Sequence, residues 1–139
     1  IPEISNVLKK FDQIDIIAMD ACLMQTVEVA YDLKDDADYI SGSTQIQSYE
    51  GFSYKEIVKY IESELMIDKL ESSSEDSFYL AKKLVDINDQ YSTDNNRTIS
   101  VINTNEFNNV LVPSINNSFQ MFSKFLDNNF EYKVEIDFW

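Results

Sequence analysis

Histidine is missing altogether from the 139 residues, and cysteine occurs once, at position 22. If that cysteine is a nucleophile, its general base must come from outside this chain. A single cysteine cannot form a disulfide within the chain. It also leaves the redox compartment unread, because cysteine-poor secreted and cytosolic proteins look alike. Basic residues are scarce: 11 Lys and Arg face 25 Asp and Glu, for a formal net charge of -14. Like-charge repulsion disfavours nucleic acid and anionic membrane as partners and concentrates cationic ones. No apolar run approaches the roughly 18 residues of a membrane span, and no basic-plus-apolar leader opens the chain. The opening Ile1-Pro2-Glu3 lacks an initiator methionine and reads as an internal or processed start.

A composition of 44% hydrophobic and 13% aromatic residues can build one packed domain, or a large piece of one. Ile4, Val7, Leu8 and Phe11 have helical spacing and precede an apolar strand at 14–19. Leu23, Val27, Ala30, Tyr31 and Leu33 predict a helix directly after Cys22, ended by Asp35-Asp36, since carboxylates disfavour a helix C-terminus. Met24 and Tyr31 are expected in its packed face. Residues 39–43 predict a short strand running into a polar loop, and Tyr54, Ile57, Val58 and Ile61 a further helix. A capping-box spacing at Ser72 and Glu75 leads a long helix lined by Leu80, Leu84, Ile87 and Tyr91. Asp94-Asn95-Asn96 marks a turn, and 98–102 alternates as a half-exposed strand does. Asn103 and Glu106 have cap spacing. A helix over 107–126 is expected to kink near Pro113, and 130–138 to be an edge strand. Strands alternating with helices predict an open α/β sheet covered on both faces. Only about three convincing strands are visible where such folds use several, which points to a fragment or a processed chain.

The informative position is Cys22, where the strand gives way to the helix. A sulfur at a strand's carboxyl end can be presented in the cleft above the sheet, with following backbone N–H groups favouring a thiolate. A lone cysteine among apolar neighbours is also commonly a small buried hydrophobe. Two other classes compete with an enzyme using Cys22 as nucleophile: a catalytically inactive binding module, and an α/β regulatory domain using Asp20 as a phosphate acceptor. The second lacks the acidic pair and the lysine such a domain needs.

The stretch Ile17-Ala18-Met19-Asp20-Ala21-Cys22-Leu23-Met24 resembles the nucleophile region of the clostripain-like cysteine peptidases. So, in order and spacing, do Glu28-Val29-Ala30-Tyr31-Asp32-Leu33, Ala37-Asp38-Tyr39-Ile40 and Glu50-Gly51-Phe52-Ser53-Tyr54. The resemblance is strong over 17–54; over 72–126 only the order of elements matches. It implies a caspase-like α/β three-layer sandwich with a mostly parallel central sheet. Residues 1–139 would supply its carboxyl-terminal portion, with the nucleophile region at 14–54. It further implies an endopeptidase cutting after Arg or Lys, activated by an internal cut that leaves two associated chains. Cys22 is then the nucleophile, and the catalytic His lies on an amino-terminal companion chain. Asp20 falls on the family's acid beside the nucleophile, and Glu50 on the acid of the basic-side-chain pocket. Phe52 stands where relatives commonly have Trp, and the Pro often found in the preceding loop is missing. Ser41, Gly42 and Ser43 are expected either at a strand edge where an extended peptide adds its backbone or in an exposed turn. No cofactor is called for by the residues; a calcium requirement is implied by the resemblance alone, and no EF-hand-like oxygen spacing appears. A secreted or cell-surface bacterial setting is implied as well.

Overall fold

A computed structural model describes residues 1–12, 14–47, 49–65, 74–91 and 98–129. The chain divides into two compact units, Ile1–Asn105 and Glu106–Trp139.

The first unit is built on a three-stranded sheet in the order β1-β2-β3, with β1 at Ile16–Ala18, β2 at Tyr39–Ser43 and β3 at Ile99–Asn103. Helices α1 (Pro2–Leu8) and α2 (Val27–Leu33) flank β1 in sequence, while α3 (Tyr54–Leu65) and α4 (Ser74–Tyr91) lie between β2 and β3. β1 and β2 are parallel, but β2 and β3 are antiparallel. The described sheet is therefore mixed rather than mostly parallel. Among the described residues one helix lies between β1 and β2 and two lie between β2 and β3, consistent with the added reversal that brings β3 back in the opposite direction.

Strand alternation sorts the core into two layers. Ile40 joins Val29 and Leu33 of α2 in one buried cluster, against which Ile1, Leu8 and Met19 pack. On the opposite face Phe52, Ile57, Leu84 and Ile87 form a second cluster, with Ile16 and Ile99 of the sheet packed against it. Leu33 and Ile40 are both 0% exposed, so each contributes the full burial of an aliphatic side chain, about 1.5–3 kcal/mol. All five residues of β2 are buried because both its faces are covered and both its edges are paired.

Several boundaries differ from the periodicity. α1 stops at Leu8 and leaves Phe11 exposed; three-residue bonds from Lys10 N to Val7 O and from Phe11 N to Leu8 O close its end. α2 begins at Val27, not at Cys22, because Thr26 caps it by accepting a hydrogen bond from Val29 N. Its buried face is consequently Val29, Ala30 and Leu33, while Leu23, Val27 and Tyr31 are exposed. Tyr31 instead carries the Lys34 ammonium over its ring, 5.0 Å from the centroid. The second long helix buries Ala81, Leu84 and Ile87 but exposes Tyr91. The expected capping box at Ser72, the turn at 94–96 and the strand at 130–138 lie outside the described residues.

A helical turn, α5 (Thr104–Glu106), leads out of β3. The second unit holds a π-helical stretch, Phe107–Leu111, and α6 (Val112–Asn129). Pro113 does not kink this helix midway. It sits in the first turn of α6, where a missing N–H is tolerated, and the wider π turn precedes it.

Candidate active site

The chain leaves β1 at Ala18 and does not enter a helix for eight residues. Met19 N still donates to Ser41 O at 2.8 Å, after which the segment folds back along the other end of β2. Leu23 N donates to Gln45 O and Gln25 N to Ser43 O, both at 3.1 Å. Between these anchors Cys22 is exposed. Leu23 takes a left-handed φ of 60°, a conformation that costs a residue with a Cβ about 1–2 kcal/mol. Such strain is held by its surroundings and clusters at functional sites. Here the Leu23 backbone bond and the close seat of the Met24 backbone on Gly42 hold it.

Gly42 explains how the turn lies so close to the strand. A Cβ there would stand 3.1 Å from the Met24 backbone carbonyl and 3.2 Å from Gln25 Oε1. Gln25 is buried, and its Nε2 donates to Ile40 O at 3.1 Å and Ser100 O at 3.0 Å, tying the turn to β2 and β3.

The sulfur receives no helix-terminal amide, contrary to what a helix starting at Cys22 predicts. Its donor is Gln47 N, 3.2 Å from Cys22 Sγ. Gln47 reaches it on a loop braced at its root, where Ser43 Oγ and Thr98 Oγ1 are 2.9 Å apart and Gln45 N donates to Thr98 Oγ1 at 3.0 Å.

Asp20, two residues before the sulfur, organises the other wall. Its Oδ2 accepts from Phe52 N at 2.9 Å and from the Tyr54 hydroxyl at 2.7 Å. Its Oδ1 is buried and accepts no hydrogen bond. Gly51, at φ +67°, passes directly beneath: a Cβ on it would lie 2.4 Å from Asp20 Oδ2. The loop is then pinned from the opposite layer, because Ser53 N donates to Asn88 Oδ1 at 2.7 Å. Asn88 is 1% exposed, and its Nδ2 donates to Leu84 O. Hydrogen bonding to the Asp20 carboxylate, with a smaller push from burial, holds the Tyr54 phenol above its usual pKa, so it stays a donor at neutral pH.

The profile of the clostripain family matches residues 1–137. The chain belongs to the clostripain family. Among solved structures it is similar to a Bacteroides fragilis cysteine protease, with 20% identity and a TM-score of 0.58 over 78% of this chain and 44% of that one. A secreted C11 cysteine protease from Bacteroides thetaiotaomicron, in complex with an irreversible peptide inhibitor, matches 76% of this chain and 30% of its own, with 26% identity and a TM-score of 0.56. A clostripain from Bacteroides thetaiotaomicron, in complex with the peptide inhibitor BTN-VLTK-AOMK, is 30% identical over 76% of this chain and 44% of its own, with a TM-score of 0.52. The chain thus spans less than half the length of these clostripain-family structures. No curated protein matches it.

Within the clostripain fold, the residues singled out from sequence divide into two groups. Cys22 and Asp20 share one turn, and Asp20 is joined to the 51–54 segment that follows Glu50. Glu50 itself is exposed. Ser41, Gly42 and Ser43 are neither a free edge nor an exposed turn; they are buried in the central strand, paired on both sides. A peptide has no open edge to join there. They serve instead as the floor under the Cys22 turn. Nothing in the sequence pattern marks Tyr54, Asn88 or Gln47 as site residues. The glycine at 51 was the available signal for a tight approach, but its partner is distant in sequence. Among the described residues there is no group of three or more Cys, Asp or Glu side chains that could hold a metal ion. No helix of the described residues is long and apolar enough to cross a membrane.

Proposed function

We propose that this chain is the nucleophile-bearing part of a clostripain-type cysteine endopeptidase that cleaves after Arg or Lys. The observation that carries the proposal is the exposed Cys22 sulfur beside a partly buried Asp20 whose Oδ1 accepts no hydrogen bond. A buried acceptor left unsatisfied costs about 1–3 kcal/mol, more when charged, and an arriving ammonium or guanidinium removes that penalty. Asp20 therefore binds the basic side chain on the acyl side of the cut, and exposed Glu50 adds charge at the pocket rim.

Cys22 attacks the scissile carbonyl as a thiolate. A carbon–sulfur bond forms while the imidazole of a companion-chain His protonates the departing amine, and water then hydrolyses the acyl-enzyme with the same imidazole as base. Backbone N–H groups around the Cys22 turn stabilise the oxyanion. The His has a natural place of entry. Among the described strands β1 is an edge, paired only to β2. A parallel strand of the companion chain laid along β1 would end beside Cys22 and satisfy the edge backbone groups. Separating the two chains would then amount to unfolding the sheet. A secreted or cell-surface bacterial setting is supported by the secreted relative.

Cys22→Ala in the full protein tests the reading: turnover of Arg- and Lys-containing peptides should vanish while the circular dichroism spectrum is kept. Peptide hydrolysis at the natural rate by that variant would exclude it.

A further inference from the structure

The hydrogen bonds around Asp20 determine how many of its oxygens a substrate can use. An ionised carboxylate oxygen has two acceptor positions in its plane. On Oδ2 both are taken, by Phe52 N at 2.9 Å and by the Tyr54 hydroxyl at 2.7 Å. The same oxygen is crowded by the Gly51 backbone, where even a Cβ would come to 2.4 Å. Oδ1 accepts nothing. Oδ1 is buried, so a cation that enters beside it and displaces what covers it meets one oxygen of the carboxylate, not two.

We infer that Tyr54 is a specificity-positioning residue: its hydroxyl occupies Oδ2 and restricts Asp20 to a one-point contact, so the pocket takes Lys about as readily as Arg. An ammonium is a point charge with three rotatable donors and is well served by one oxygen. A guanidinium gains its advantage from a planar fork that spans both oxygens, and here it loses the second half of that contact. The inference rests on Asp20 being the pocket acid, and it replaces the expectation that a two-point contact favours Arg.

Tyr54 is suited to this role rather than to packing. It is 56% exposed at the first residue of α3, so its hydroxyl can be removed without opening a core cavity. Its raised pKa keeps the proton on the phenol, so the bond to Oδ2 persists across the working pH range.

The test uses the full, processed enzyme and three matched peptides with Arg, Lys or Gln before the cut. Taking the Arg-to-Lys ratio of kcat/KM within one preparation cancels the folded fraction and the reactivity of Cys22, which a merely structural role would change. The natural enzyme should show a ratio within about threefold of unity, and Tyr54→Phe should raise it at least about fivefold, because the freed Oδ2 position admits the fork. Tyr54→Leu, which also removes the hydroxyl, should move the ratio the same way. A natural ratio above about tenfold, or a ratio unchanged in both variants, overturns the role of Tyr54. That failure is distinct from failure of the underlying reading. If Asp20→Asn abolishes the preference for basic over Gln peptides while the Tyr54 variants keep the natural ratio, Asp20 remains the pocket acid and only the inference falls. If the natural enzyme cuts the Gln peptide as well as the Arg peptide, both fall.

Discussion

Gly51→Ala isolates the close approach of the 51–54 loop to the Asp20 carboxylate. The φ of +67° costs a residue with a Cβ about 1–2 kcal/mol. The new Cβ also starts 2.4 Å from Asp20 Oδ2, so the carboxylate or the loop backbone must move. Neither is the free end of a flexible chain, because Phe52 N and the Tyr54 hydroxyl hold that oxygen from either side. Hydrogen bonds to a charged group contribute about 1.5–3 kcal/mol each, and losing one brings the expected destabilisation to about 2.5–5 kcal/mol. A double-mutant cycle separates the two parts. In an Asp20→Ala background the oxygen is gone and Gly51→Ala should cost only the backbone strain, about 1–2 kcal/mol. Urea unfolding of the four proteins, followed by circular dichroism, supplies the free energies. The single variant should also lose kcat/KM for Arg and Lys peptides more than for Gln peptides, because Asp20 is displaced from the pocket. If Gly51→Ala costs the same with and without the Asp20 carboxylate, within about 0.5 kcal/mol, the described contact does not exist.

Other outcomes follow from the same geometry. Asn88→Ala removes the acceptor of Ser53 N and should destabilise by about 1–3 kcal/mol while raising KM for basic peptides, read by urea unfolding and steady-state kinetics. Leu33→Ala, at a fully buried position under β2, should cost about 2–5 kcal/mol without altering the Arg-to-Gln preference. Glu50→Gln, at an exposed position, should lower kcat/KM for basic peptides much less than Asp20→Asn does, since solvent screens the charge it removes. Tyr54 has a folded pKa above its unfolded one, so the native state holds the proton more tightly. Its contribution is complete below about pH 10 and is lost as pH rises through the folded value. Tyr54→Phe should flatten that part of the alkaline stability loss in a pH-dependent unfolding series.

What could be read from the sequence was largely what is local. The apolar run before Cys22, the short segment 39–43 and the alternation over 98–102 each mark a strand, and all three exist. The turn after Cys22 was less legible. Leu23, Val27 and Ala30 mimic a helical stripe, yet Thr26 caps a helix that starts later, and Leu23 adopts a left-handed conformation that no spacing reveals. Strand order lay beyond local reading as well. Ser41, Gly42 and Ser43 read as a substrate-facing edge or an exposed turn, whereas they lie in a strand paired on both sides, with the Met24 backbone close against Gly42. The Asp20 clamp joins positions more than thirty residues apart, and Asn88 reaches the same loop from α4. Contacts of that range are set by the packing of layers and leave no periodic trace.

The central claim is that Cys22 carries the chemistry beside a pocket for a basic side chain. The most direct measurement is active-site labelling of the full protein with a peptidyl acyloxymethyl ketone ending in Lys, followed by peptide mapping in a mass spectrometer. One adduct per molecule is expected, on the peptide containing Cys22, with labelling much slower for the corresponding Gln compound. An adduct on any other residue, or retention of peptide hydrolysis after Cys22 is fully blocked, would contradict it.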